Sequence, residues 1–129
     1  MIVVDTSAVF SAVAETPPNK GLVDRIHAAE RLHAPHLIDV EFVHALRRFV
    51  SHGRMTADLA DSKLHDFSEM AIIRYPHVRF RDRLWELRAN LSAYDAAFVA
   101  LAEALGIPLV TADRRLARST GHSAVIELF

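Results

Sequence analysis

The sequence predicts an α/β fold: a central, mostly parallel twisted sheet with helices on both faces. Three observations predict it. Short apolar or β-branched runs alternate with longer segments of helical periodicity, the order in which a parallel sheet receives its crossover helices. The first run, Ile2-Val3-Val4, has no polar face, as a strand covered on both sides requires. The 129 residues, 51% of them apolar and 24% charged, fit one domain spanning 1–129 with a core that needs no covalent staples.

Each element follows from local signals. Residues 2–4 form the first strand, and Thr6 to Glu15 a helix that Pro17-Pro18 stops. Gly21 to Arg31 carries Leu22, Ile26 and Ala29 at helical spacing, and Leu32 to Ala34 is a short strand before Pro35. Leu37 to Val50 is amphipathic, with Ile38, Phe42, Ala45, Leu46 and Phe49 on one face and Gly53 beyond its end. Thr56 is placed to cap a helix running to Met70. Ile72-Ile73 make a strand ended by Pro76, and Arg79 to Asn90 reads as one helix. Ser92 opens a further helix that ends at Gly106, a residue suited to the left-handed C-cap. Leu109 to Thr111 is a strand, Arg114 to Ser119 a helical turn and Ala124 to Leu128 the last strand.

Composition removes several function classes. With no Cys, there are no disulfides, thiolate zinc sites, iron–sulfur clusters or Cys nucleophiles. No apolar run reaches the roughly 18 residues of a membrane span, and Asp5 interrupts the N-terminal apolar stretch, so the expected location is the cytoplasm. Fifteen basic against 16 acidic residues give a net charge of −1, unlike a non-catalytic nucleic-acid binder.

Ligands of parallel sheets bind at the carboxyl ends of the strands, near the switch point in strand order. Asp5 and Asp113 each follow a strand at that end, where each can serve a site or cap the next helix. Ser92 and Asp95 have capping-box spacing. Asp95 nevertheless shares a helix side with Phe98, Val99 and Ala102, where a carboxylate without a cation is costly. Glu41 borders the apolar stripe of its helix; as a lone Glu-x-x-His with His44 it lacks the second copy that a di-iron bundle needs. Clustered carboxylates repel and resist ionising, and hard divalent cations relieve that repulsion. Such a site polarises a phosphate and activates water for in-line attack.

These residues resemble a known family. Val3-Val4-Asp5-Thr6-Ser7, Glu41, the run Leu91-Ser92-Ala93-Tyr94-Asp95-Ala96-Ala97-Phe98-Val99-Ala100-Leu101-Ala102 and the run Pro108-Leu109-Val110-Thr111-Ala112-Asp113-Arg114-Arg115-Leu116-Ala117 are similar to the PIN-domain ribonucleases, and among them to the VapC toxins of type II toxin–antitoxin modules. The ordered set of four acids spans nearly the whole chain. The resemblance implies a PIN-like three-layer fold. It assigns Asp5, Glu41, Asp95 and Asp113 to an acidic site for Mg²⁺ or Mn²⁺, supported by the hydroxyls of Ser7 and Thr111. It further implies cleavage of tRNA or rRNA loops leaving a 5′-phosphate and a 3′-hydroxyl, a homodimer, and a cognate VapB-type antitoxin covering the active site.

All basic residues but Lys20 and Lys63 are Arg, a side chain suited to phosphates and to stacking on bases. Arg81, Arg83 and Arg88 crowd one stretch and are the candidate RNA contacts, against the alternative of a solvated helix face. Two rivals stand beside the nuclease. A phosphoacceptor receiver needs a Lys after a late strand, which this chain lacks. A degenerate PIN module would bind RNA or a partner without cutting, but here all four acids are present.

Overall fold

A computed structural model describes residues 1–129. Five strands form one sheet in the order β3-β2-β1-β4-β5, with β1 (Ile2–Val4) at its centre. Beside it lie β2 (Leu32–Pro35) and β4 (Leu109–Thr111), and β3 (Ile72–Tyr75) and β5 (Ile126–Leu128) form the edges. All four pairings are parallel, so the expected "mostly parallel" sheet is wholly so. Val3 sits opposite His33 on one side and Leu109 on the other. The three residues of β1 have no solvent exposure, which explains why the strand carries no polar face.

Strand order grows from β1 through β2 to β3, then returns to β4 on the far side of β1. Right-handed crossovers therefore place α1 (Thr6–Val13), α2 (Lys20–His27), α3 (Leu37–Ser51) and α4 (Ala57–Ser68) on one face. The opposite face receives α5 (Arg81–Glu86), α6 (Ala93–Leu105) and the single turn α7 (Arg114–Ala117). The reversal puts the switch point between β1 and β4, where Asp5 and Thr111 emerge.

Packing explains the elements. In the first layer Phe42 stacks on Phe67 at 4.1 Å between ring centroids, and Phe10 meets both Phe42 and Phe49, so α1, α3 and α4 share an aromatic core. On the other face α6 buries every residue from Ala96 to Ala102. Its small side chains let the helix lie close over the sheet, and Gly106, at φ 62°, ends it in the left-handed conformation. No helix is long and apolar enough to cross a membrane.

Most helix ends lie within two residues of the sequence reading, and larger or telling differences fall at three places. Residues 79–90 are not one helix: a 3₁₀ turn at His77–Phe80 precedes α5 and another at Leu87–Ala89 follows it. Leu87 is buried, and Leu84 and Leu91 pack against the core beside it. Helix α2 stops at His27 rather than Arg31, because the Arg31 carbonyl accepts from Ile2 N and starts the β1–β2 ladder. The last strand begins at Ile126, two residues later than expected.

Candidate active site

The run Asp5-Thr6-Ser7 turns sharply from β1 into α1, and each of its side chains serves a different neighbour. Asp5 is the N-cap, its Oδ1 accepting from Ala8 N at 2.8 Å. Ser7 Oγ donates to the same carboxylate at 2.8 Å, and Thr111 Oγ1, arriving from β4, donates to Oδ2 at 2.5 Å. Ala112 N in turn donates to Ser7 Oγ, and Asp113 N to Thr111 Oγ1, both at 2.9 Å. The hydroxyls thus lock the end of β4 onto the end of β1.

Asp5 is 5% exposed, and no Arg, Lys or His reaches it. Burial pushes its carboxyl up to about 6; the bonds from Thr111, Ala8 and Ser7 restrain the rise, and the charge of Asp113 adds to it. Glu41, half-buried on α3, accepts from Thr6 Oγ1 at 2.5 Å. Its pKa is also raised, first by burial and then by the charge of Asp95, with Thr6 and His44 opposing.

The acids fall into two pairs that feel each other's charge, Asp5 with Asp113 and Glu41 with Asp95, and the Thr6–Glu41 hydrogen bond ties Glu41 to the residue after Asp5. No three of them stand close enough to ligate one ion together. Asp113 caps α7, with Oδ1 accepting from Arg115 N at 2.7 Å, so its capping and site roles coexist. At Asp95 the capping box is only half made: Ser92 Oγ accepts from Asp95 N, while the Asp95 carboxylate has no hydrogen-bond partner. The donor set is all-carboxylate with supporting hydroxyls, which suits a hard divalent cation.

Thr6 was not among the expected hydroxyls. Its only signal in the sequence is its place between Asp5 and Ser7. The three arginines separate. Arg83 is held by Glu103 at 2.8 and 2.9 Å and by Glu86, toward the far end of α6 from Asp95. Arg88 lies over the Trp85 ring at 4.5 Å, and Arg81 is exposed without a partner.

The PIN-domain family profile matches residues 2–121. The chain belongs to the PIN-domain family. Its curated relatives are VapC ribonucleases. It is 50% identical over 123 residues to ribonuclease VapC9 of Mycobacterium tuberculosis, covering 95% of this chain and 93% of that one. Ribonuclease VapC12 of the same organism is 38% identical over 128 residues, covering 99% and 98%. Among solved structures, VapBC2 from Rickettsia felis, bound to a promoter DNA fragment, superposes with a TM-score of 0.73 at 14% identity, covering 99% of this chain and 98% of the other. That likeness shows the three-layer PIN fold. PIN ribonucleases are in general divalent-metal dependent.

Proposed function

We propose that this PIN domain is the toxin of a VapBC-type module, a metal-dependent endoribonuclease that hydrolyses phosphodiester bonds in tRNA or rRNA loops. It thereby inhibits translation and growth until a VapB-type antitoxin neutralises it. The observation that carries the reading is the Asp5 carboxylate: nearly fully buried, supplied with neutral donors only, and facing a second acid. A buried carboxylate of that kind is a liability to the fold unless a cation completes it.

Asp5, Glu41, Asp95 and Asp113 would hold Mg²⁺ or Mn²⁺, one or two of them directly and the others through the waters the ion keeps. The bound cation supplies neutralisation of the phosphate and a lowered pKa for the attacking water. Ser7 and Thr111 fix both Asp5 oxygens, so the carboxylate is oriented before any ligand arrives. Thr6 does the same for Glu41. Arg81 and Arg88, whose guanidinium groups no carboxylate engages, are the candidates for holding the RNA backbone. The same reading makes the protein a cytoplasmic homodimer when free of antitoxin.

The test is cleavage of RNA with Mn²⁺ and with excess chelator, for wild type and Asp5→Asn. Cleavage that requires both Mn²⁺ and Asp5 is expected. Wild-type rates in chelator, or in Asp5→Asn, overturn the reading.

A further inference from the structure

A cavity of about 410 Å³ opens beside Glu41, walled by Leu37, Val40, Glu41 and His44 of α3 and by Tyr94 of α6. Its volume is that of a small-molecule cleft. Val40 is 69% and Tyr94 62% exposed, so two large apolar surfaces stand in water next to the acids. Tyr94 directly precedes Asp95, and its ring has neither an aromatic, a cationic nor a hydrogen-bond partner in the fold. Two other exposed or half-buried rings are already covered, Phe49 by the Arg54 guanidinium at 4.1 Å and Trp85 by Arg88.

A second cavity is lined in part by Thr6, Ser7 and Asp113. The Thr6–Glu41 hydrogen bond joins the wall of one cavity to the wall of the other. A phosphate placed at the carboxylates therefore has two open cavities beside it for the nucleotides bonded to that phosphate. Only the cavity beside Glu41 offers a free aromatic face.

We propose that this cavity receives an unpaired RNA base flanking the cleaved phosphate, with Tyr94 as its stacking platform; the inference rests on the nuclease reading above. Every base has a π-face, so the Tyr94 ring supplies affinity for any nucleotide that has left its stack. The Tyr94 hydroxyl and the His44 ring supply the polar groups that can read the base edge. Apolar Leu37 and Val40 cover the remaining surface. A duplex, whose bases stay stacked, cannot fill the cavity.

The experiment uses the full chain and a fluorescein-labelled RNA hairpin with an unpaired loop, each loop position being replaced in turn by an abasic nucleotide. Cleavage with Mn²⁺ gives kcat and KM; anisotropy in chelator gives Kd without chemistry. Tyr94→Ala should raise KM and Kd about tenfold, the order expected for removing one base stack, with the effect in KM rather than kcat. Tyr94→Phe and Tyr94→Trp should restore both. With the abasic nucleotide next to the cleaved bond, wild type and Tyr94→Ala should become alike, a non-additivity that a merely structural role does not produce. Equal Kd for wild type and Tyr94→Ala, or the same tenfold deficit on every abasic RNA, overturns the proposal. So does a Tyr94→Ala protein that changes subunit or antitoxin association by size-exclusion chromatography while binding RNA as wild type does. If wild type cleaves nothing with Mn²⁺, the nuclease reading fails, and the anisotropy series still decides the base subsite by itself.

Discussion

The Thr111 hydroxyl donates to Asp5 Oδ2 at 2.5 Å, and this hydrogen bond spans the switch point of the sheet, from the end of β4 to the end of β1. The same oxygen of Thr111 accepts from Asp113 N, so one side chain sets the position of two acids. Thr111→Val keeps the shape and removes the hydroxyl. The carboxyl of Asp5 then loses the strongest of the bonds that restrain its pKa and rises above about 6. Asp113 N is left without its acceptor, a loss of roughly 1–3 kcal/mol in a partly buried site. In chelator, the loss of stability that accompanies ionisation of Asp5 should move to higher pH in Thr111→Val and stay in place in Thr111→Ser, read from melts across pH. An unmoved transition in Thr111→Val rejects the link between this hydroxyl and Asp5.

Asp5 also makes the metal-free protein's stability depend on pH. Its folded carboxyl, at about 6, binds a proton more tightly than the unfolded one at 3.8. The stability from protonated Asp5 is therefore fully present below about pH 4 and is lost as pH rises through about 6. The two-unit difference corresponds to about 3 kcal/mol. Thermal melts in chelator should show wild type losing stability relative to Asp5→Asn between those pH values. A pH-independent difference between the two proteins excludes a raised Asp5.

How much of this was legible in the sequence depended on the range of the interactions. Ser92 and Gly106 bound α6 as expected, because both caps are local: a hydroxyl accepting from the third residue on, and a left-handed residue closing the end. The places of Asp5 and Asp113 at strand ends marked them as candidates. The division of residues 77–89 into a short helix between two 3₁₀ turns was not legible, since no Pro, Gly or side-chain cap marks either joint. The bond from Thr6 to Glu41 joins residues 35 apart, and no spacing rule on either helix implies it. The pairing of Arg83 with Glu103, 20 residues on, likewise follows from the docking of α5 on α6.

That docking divides the three arginines by experiment. Arg83 holds the Glu103 carboxyl down at about 2, aided by Ser123 N. Glu103 therefore contributes stability above about pH 4.5 that is lost as pH falls toward 2. Arg83→Ala should lower the melting temperature at pH 7 and leave the salt dependence of RNA binding unchanged. Arg81→Ala and Arg88→Ala should melt near wild type, and removing an ion pair with one phosphate should lower the slope of log K against log salt by about 0.7 for single-stranded RNA. A reduced slope in Arg83→Ala alone would reverse the assignment.

The paired acids give the least intuitive outcome. Asp113 raises the carboxyl of Asp5, and Asp95 raises that of Glu41, so in the absence of metal each pair repels at neutral pH. Asn at either position removes one charge and keeps the local structure. At Asp113 the amide oxygen still caps α7 at Arg115 N; the ion pair with the exposed Arg115 guanidinium, at 3.4 Å, contributes little. At Asp95 the cap is made by the backbone N–H to Ser92, which the substitution does not touch. Both variants should therefore melt a few degrees higher than wild type in chelator at neutral pH. Wild type should gain about 3 kcal/mol from Mn²⁺ at a hundredfold excess over its Kd, by mass action, and the variants less. Capping predicts no gain in chelator and an unchanged response to metal. Melts of the three proteins with chelator and with Mn²⁺ separate the two: if both variants melt lower than wild type in chelator and gain as much from Mn²⁺, the four acids do not share a cation.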